Sequence, residues 1–146
     1  MMKSIIYLFC MTLTFSACAQ STKENTTKNK NLTKTQKTMD LTKITNPQVK
    51  QAIEALQNND KATWYSYFTK DANFTDDGRT LDFKSFFDNA FSHKERFLEI
   101  EKVENGGKDI TGKFFAGQWG TFRVFFKFHQ QADGKFSRLD IGQARN

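Results

Sequence analysis

The chain has 146 residues, of which 38% are hydrophobic, 26% charged and 14% aromatic, and it carries a formal charge of +6. That length accommodates one ordinary domain with tails, and the composition is globular rather than collagenous, disordered or disulfide-rich. With only Cys10 and Cys18, a zinc ribbon or a disulfide framework is excluded. The basic excess is local: residues 1–45 hold seven lysines and two acids, leaving 15 basic and 14 acidic residues in 46–146. Phosphate recognition needs a basic face on the folded part, so nucleic acid is not an expected partner.

Residues 1–3 supply a short positive segment, followed by an apolar run over residues 5–15. A membrane-spanning helix needs roughly 20 apolar residues, so this run fits the core of a secretory signal instead, ending at residue 17. Phe15-Ser16-Ala17-Cys18 resembles a bacterial lipobox. The resemblance implies an acylated Cys18 at the mature N-terminus and stable residence on a membrane, because several acyl chains act together. A rival cut is available, since Ala17-Cys18-Ala19 also satisfies the small-x-small rule and would release a soluble chain from Gln20. Residues 18–45 read as a tether. Positions 19–45 contain eight Thr, six Lys and three Asn, too polar to bury the apolar area that ordering requires.

From residue 46 the pattern becomes that of a folded domain. Asn46-Pro47 is an N-cap followed by proline at the first helical position, and Val49, Ala52, Ile53 and Leu56 form one apolar face. Asp60 can cap a second helix carrying Ala62, Trp64, Tyr67 and Phe68. Residues 69–81 read as a polar segment with Phe74 and an Asp76-Asp77-Gly78 turn. Asp82 starts a third helix whose face is Phe83, Phe86, Phe87, Ala90 and Phe91.

Strand patterning follows: 96–103, the Asn105-Gly106-Gly107 turn, 109–119, 121–129, an Asp133-Gly134 turn, and 135–143. Three helices followed by an antiparallel sheet predict an α+β domain with helices on one face. The last hairpin fixes its own register. A two-residue Asp133-Gly134 turn pairs Phe128 with Leu139, Phe126 with Ile141 and Val124 with Gln143, which sorts apolar residues onto one face. The other face then collects Arg123, Phe125, Lys127, His129, Arg138 and Asp140.

The segments Ala-Leu-Gln-Asn-Asn-Asp (55–60) and Phe-Thr-Lys-Asp-Ala-Asn-Phe (68–74), the helix after Asp-Asp-Gly, and residues 135–143 together resemble the NTF2-like superfamily, which includes SnoaL-like polyketide cyclases and ketosteroid isomerases. The resemblance covers residues 46–146. It implies a cone in which a strongly bent sheet of about four strands wraps three helices around a pocket. Such domains serve as enzymes, binding modules and dimerisation units, so the fold leaves function open. Isomerase chemistry needs a carboxylate base and an oxyanion hole of tyrosine and protonated aspartic acid. The resemblance puts Asp76 near the base, the tyrosine position at Ala52 and the aspartate position at Val124. Two of the three groups are therefore missing, which disfavours that mechanism.

Each candidate residue has a functional and a structural reading. Asp76 is a general base only if buried beside an apolar wall, and Asp77-Gly78 next to it favours an exposed turn. Trp64, Phe87, Trp119, Val124, Phe126 and Gln143 either line a pocket for a small hydrophobic ligand or, for the aromatics, fill core. Fourteen phenylalanines in residues 46–146 favour a large interior or a face buried against another copy. Arg123, Phe125, Lys127, His129, Arg138 and Asp140 form a solvated face or a homodimer interface. His93 reads as surface. Two separated histidines suggest no metal site, Gly106-Gly107-Lys108 lacks the helix of a phosphate loop, and no cofactor is expected. The expectation is a membrane-anchored envelope lipoprotein that binds a small hydrophobic ligand or dimerises. The alternatives are a SnoaL-like enzyme with Asp76 as base and a protein-docking module using the outer sheet face.

Overall fold

The computed structural model describes residues 39–145; the expected signal segment, Cys18 and most of the expected tether lie outside the described residues. In chain order the domain contains α1 (Pro47–Gln57), α2 (Lys61–Ser66), β1 (Phe68–Asp76), β2 (Arg79–Thr80), α3 (Phe83–Ser92), β3 (Arg96–Glu104), β4 (Asp109–Phe115), β5 (Thr121–Gln130) and β6 (Phe136–Gln143). The strands form one sheet in the order β2-β1-β6-β5-β4-β3. The α+β class is as expected, with six strands in place of four.

All three helices begin at the side chains that the sequence marks as caps. Asn46 accepts from Val49 N at 3.0 Å, Asp60 from Thr63 N at 3.1 Å and Asp82 from Ser85 N at 2.7 Å, each satisfying one orphan donor of a first turn. The second helix is shorter than expected. It stops at Ser66, Tyr67 caps it, and Phe68 already belongs to a strand.

The polar segment 69–81 is the main correction. It forms most of β1 and the short β2, and β1 runs parallel to β6, so the sheet is mixed rather than antiparallel. Two inward residues, Phe68 and Phe74, anchor β1 to the core, and the register shifts between Phe68 and Asn73. Five residues of mostly polar character separate those anchors, so no alternation signals a strand. The neighbouring β6 supplies the hydrogen bonds instead.

The β5–β6 pairs are those derived from the sequence: Phe128 with Leu139, Phe126 with Ile141 and Val124 with Gln143. The connection differs. Gln131 N donates to Lys135 O at 2.8 Å around Ala132-Asp133-Gly134, with Gly134 at φ +88°, which makes a three-residue loop. Such a loop alone would mix the faces. Ser137 is the extra residue of a bulge between the Gln130–Phe136 and His129–Arg138 pairs, and it restores the apolar sorting.

The inner sheet face and the helices enclose an aromatic core. Trp64 is fully buried, with ring centroids 4.7 Å from Phe87 and 5.0 Å from Phe68, and Phe126, Phe128 and Phe136 lie in the same interior. The fold also starts before residue 46. Ile44 is buried, and Lys43 Nζ donates to Ile100 O at 2.7 Å, so residues 40–45, drawn as tether, pack on β3. At the other end of the β3–β4 hairpin, the 109–119 strand stops at Phe115 and gives way to a single turn, Gly117–Trp119.

Gly112 is buried on β4, opposite Ile100 of the irregular β3. A Cβ at this position would come within 2.0 Å of Glu99 O, a backbone atom with little room to yield. The substitution Gly112→Ala is therefore expected to lower stability by about 1–3 kcal/mol in urea denaturation. An unchanged midpoint would show that β3 and β4 do not approach this closely.

Candidate ligand-binding cavity

The cavity opens where α3, the ends of β1 and β6, and the β4–β5 connection meet. Capping by Asp82 sets the phase of α3, which turns Phe86, Phe87 and Ala90 toward the sheet. Opposite them stand Phe114 of β4, Phe122, Val124 and Phe126 of β5, and Ile141 of β6. The enclosed space is about 470 Å³, within the range of roughly 300–1,000 Å³ typical of small-molecule sites. Trp119 stands on the Gly117–Trp119 turn, lines the cavity and is 70% exposed. Gly117, at φ +56°, lets this turn approach closely: a Cβ there would lie 2.8 Å from His93 Cβ and 3.2 Å from Glu95 Oε1.

Polar groups enter this apolar frame at a few points. Asp77 (φ +46°) and Gly78 (φ +79°) are the two central residues of the β1–β2 turn, while Asp76 is the last residue of β1, paired with Ile141 and Arg79. The exposed-turn reading thus describes Asp77, whereas Asp76 is half-buried on the cavity wall. Burial, reinforced by the neighbouring Asp77 charge, raises the Asp76 carboxyl above its ordinary range, and Arg79 opposes this. Asp77 ties the turn to β6: its N donates to Ile141 O and its Oδ1 accepts from Gln143 N, each at 2.9 Å. Gly142 makes this approach possible, because a Cβ would fall 2.4 Å from Asp77 Oδ1.

Glu95 was not singled out from the sequence. It sits between α3 and β3, is 8% exposed, and lines the cavity. Among the described residues its carboxylate makes no hydrogen bond or ion pair, and burial raises its pKa while the nearby His93 lowers it. The available signal was spacing. Glu95 precedes the inward Phe97 by two residues, so the strand period places it on the inner face. Its flanking charges, Lys94 and Arg96, made the segment read as a solvated connection.

Of the residues proposed for a pocket, Phe87, Trp119, Val124, Phe126 and Gln143 line this cavity. Trp64 does not: it packs behind Phe87, inside the core, with its Nε1 unpaired. Ala52, the position that the resemblance assigns to a tyrosine, is fully buried on α1, and Val124 offers an apolar wall where an acid would stand. Neither supplies an oxyanion donor. Among the described residues no three His, Cys, Asp or Glu side chains group closely enough to hold a metal ion.

The outer sheet face is a network of paired charges. Asp140 accepts from Thr75 Oγ1 at 2.6 Å and Arg138 Nε at 2.7 Å, and meets His129 Nε2 at 2.7 Å. Burial pushes its carboxyl up, but these three partners outweigh that and hold it below the usual aspartate range. Arg123 Nε donates to Glu101 Oε2 at 2.6 Å, and Lys127 lies over the Phe125 ring at 5.2 Å.

No protein-family model matches the sequence, and no curated protein matches it. Solved structures do match the fold. One is an NTF2-like protein of unknown function from Cytophaga hutchinsonii, with TM-score 0.54 and 14% identity over 66% of this chain and 87% of that one. A cystatin-fold protein from Novosphingobium aromaticivorans gives TM-score 0.54 and 22% identity over 64% and 93%. A candidate polyketide cyclase from Xanthomonas campestris gives TM-score 0.52 and 12% identity over 72% and 93%. The chain has the NTF2-like fold. At these identities the likeness extends to architecture and not to chemistry.

The unpaired Glu95 gives a measurable signature. Its folded pKa lies above the ordinary value of 4.5, so the folded state binds more protons in that window and stability falls as pH rises through it. Glu95→Gln should therefore unfold at a higher temperature than wild type at pH 7. The gain should vanish near pH 4. Equal stability at both pH values would mean that the carboxylate has a partner.

Proposed function

We propose that this domain is a small-molecule binding module, displayed in a bacterial envelope by a lipid anchor at Cys18. The observation that carries the binding reading is the open cavity of about 470 Å³, walled by α3 and the inner faces of β4–β6, with an exposed tryptophan among its lining residues. Apolar walls supply affinity for an apolar body, and the few polar groups among them orient it. A domain whose phenylalanines served only to fill space would have closed this volume, because interiors pack to crystal-like density. Arg123, His129 and Arg138 of the outer face are already paired within the sheet, so the cavity rather than that face supports the reading.

The anchor rests on the sequence of the leader. Among the described residues no helix is long and apolar enough to cross a membrane. Mass spectrometry of the chain recovered from bacterial membranes tests both parts together. Denaturing spectra are expected to show an acylated Cys18 as the first residue, and an unmodified chain starting at Gln20 would remove the anchor. Native spectra are expected to show a retained small molecule that is lost from Val124→Trp, whose indole would fill the cavity. A molecule retained equally by that variant would place it elsewhere.

A second reading is proton transfer on a carbonyl compound with Asp76 as base. The observation favouring it is the cavity-wall position of that carboxyl and its raised proton affinity. Under this reading Asp76→Asn abolishes turnover of the retained molecule, by about 100-fold or more, without releasing it. Unaltered turnover in that variant would leave binding as the whole activity.

A further inference from the structure

The charged groups of the cavity lining are mostly of one sign. Asp76, Asp77 and Glu95 contribute three carboxylates to its lining, against the single guanidinium of Arg79. Only Asp77 has a hydrogen-bond partner for its carboxylate, accepting from Gln143 N, while Asp76 lies beside Arg79, whose charge opposes the rise in its pKa. Glu95 makes no hydrogen bond or ion pair among the described residues, has His93 as its opposing neighbour, and at 8% exposure is the one charged residue buried in the described domain.

A buried carboxylate without a partner is costly, and a protein relieves it by protonation or by supplying a counter-charge. The chain supplies none. His93, the nearest opposing group, is exposed, and its Nδ1 lies 3.0 Å from Asn89 O and 3.2 Å from Ser92 Oγ, both on α3 rather than in the cavity. A metal ion does not fit either, because the described residues hold no cluster of three ligating side chains. An organic ligand that brings its own positive charge would supply that counter-charge. The walls suit one, since the faces of Phe86, Phe87 and Phe122 attract a cation as well as an apolar body.

We infer that the cavity selects a small organic cation, an otherwise apolar amine whose ammonium group pairs with Glu95 while its body lies against the phenylalanine walls. This rests on the binding reading above and deepens it by naming the ligand class. Glu95 is then the specificity-determining residue of the site. Its low exposure limits screening of the pair by water, and its freedom from internal partners leaves both carboxylate oxygens to the ligand.

Three probes of matched shape test it by isothermal titration calorimetry on the full chain at pH 7: phenylbutylamine, phenylbutanol and phenylbutyrate. The amine is expected to bind about tenfold or more tightly than the alcohol, and the carboxylate most weakly. In Glu95→Gln, shown to be folded by its thermal transition, the amine should fall to within about twofold of the alcohol. Glu54→Gln, which removes an exposed carboxylate of α1 that does not line the cavity, should keep the amine preference. An alcohol or carboxylate that binds wild type as tightly as the amine overturns the inference and leaves the binding reading standing. So does an amine preference that survives Glu95→Gln or disappears in Glu54→Gln. Failure of all three probes to bind overturns both.

Discussion

The β5–β6 register governs this domain. Phe126 opposite Ile141 and Phe128 opposite Leu139 put four large apolar side chains on one surface, and a slip of one residue would exchange them for Lys127, His129, Arg138 and Asp140. The register survives a loop of the wrong length because the Ser137 bulge takes up the difference. Everything else is organised by this pair: β4 adds on one side through Ile110 opposite Phe126, β1 adds in parallel on the other, and α3 packs its phenylalanines against the surface so created.

The parallel β1–β6 contact brings the functional end together. Because β1 ends at Asp76 beside Ile141, the following turn falls over the C-terminal end of β6, and Asp77 binds the backbone there. Gly142 is the residue that allows this, since any side chain would collide with Asp77 and with the Phe125 ring. One close approach on β6 thus positions a carboxylate at the mouth of the cavity and fixes the hairpin that carries Arg79.

The cavity combines two costs that folding alone would avoid. Open volume forfeits dispersion contacts along its lining, and an unpaired Glu95 loses hydration without regaining a partner. Both are tolerable here because the core behind the cavity is dense: Trp64, Phe68, Phe87 and Phe128 pack with centroid separations of 4.7–6.3 Å. Open volume and a covered charge at one end of an otherwise well-packed domain support the binding reading proposed above.

Local chemistry determined the helix starts, the three caps, the faces of the first and third helices and the register of the last hairpin, because each depends on side chains a few residues apart. Phe87, Trp119, Val124, Phe126 and Gln143 could be named from periodicity as residues facing an interior. Only the tertiary structure decided which of them meet open space, and it moved Trp64 into the core behind Phe87. It also made a strand of residues 69–76, whose hydrogen bonds come from β6 more than sixty residues away, and drew residues 40–45 onto β3. Glu95 became the chemical centre for the same reason: burial is a property of what packs around a side chain. Charged neighbours in the sequence do not reveal that the fold has closed over it.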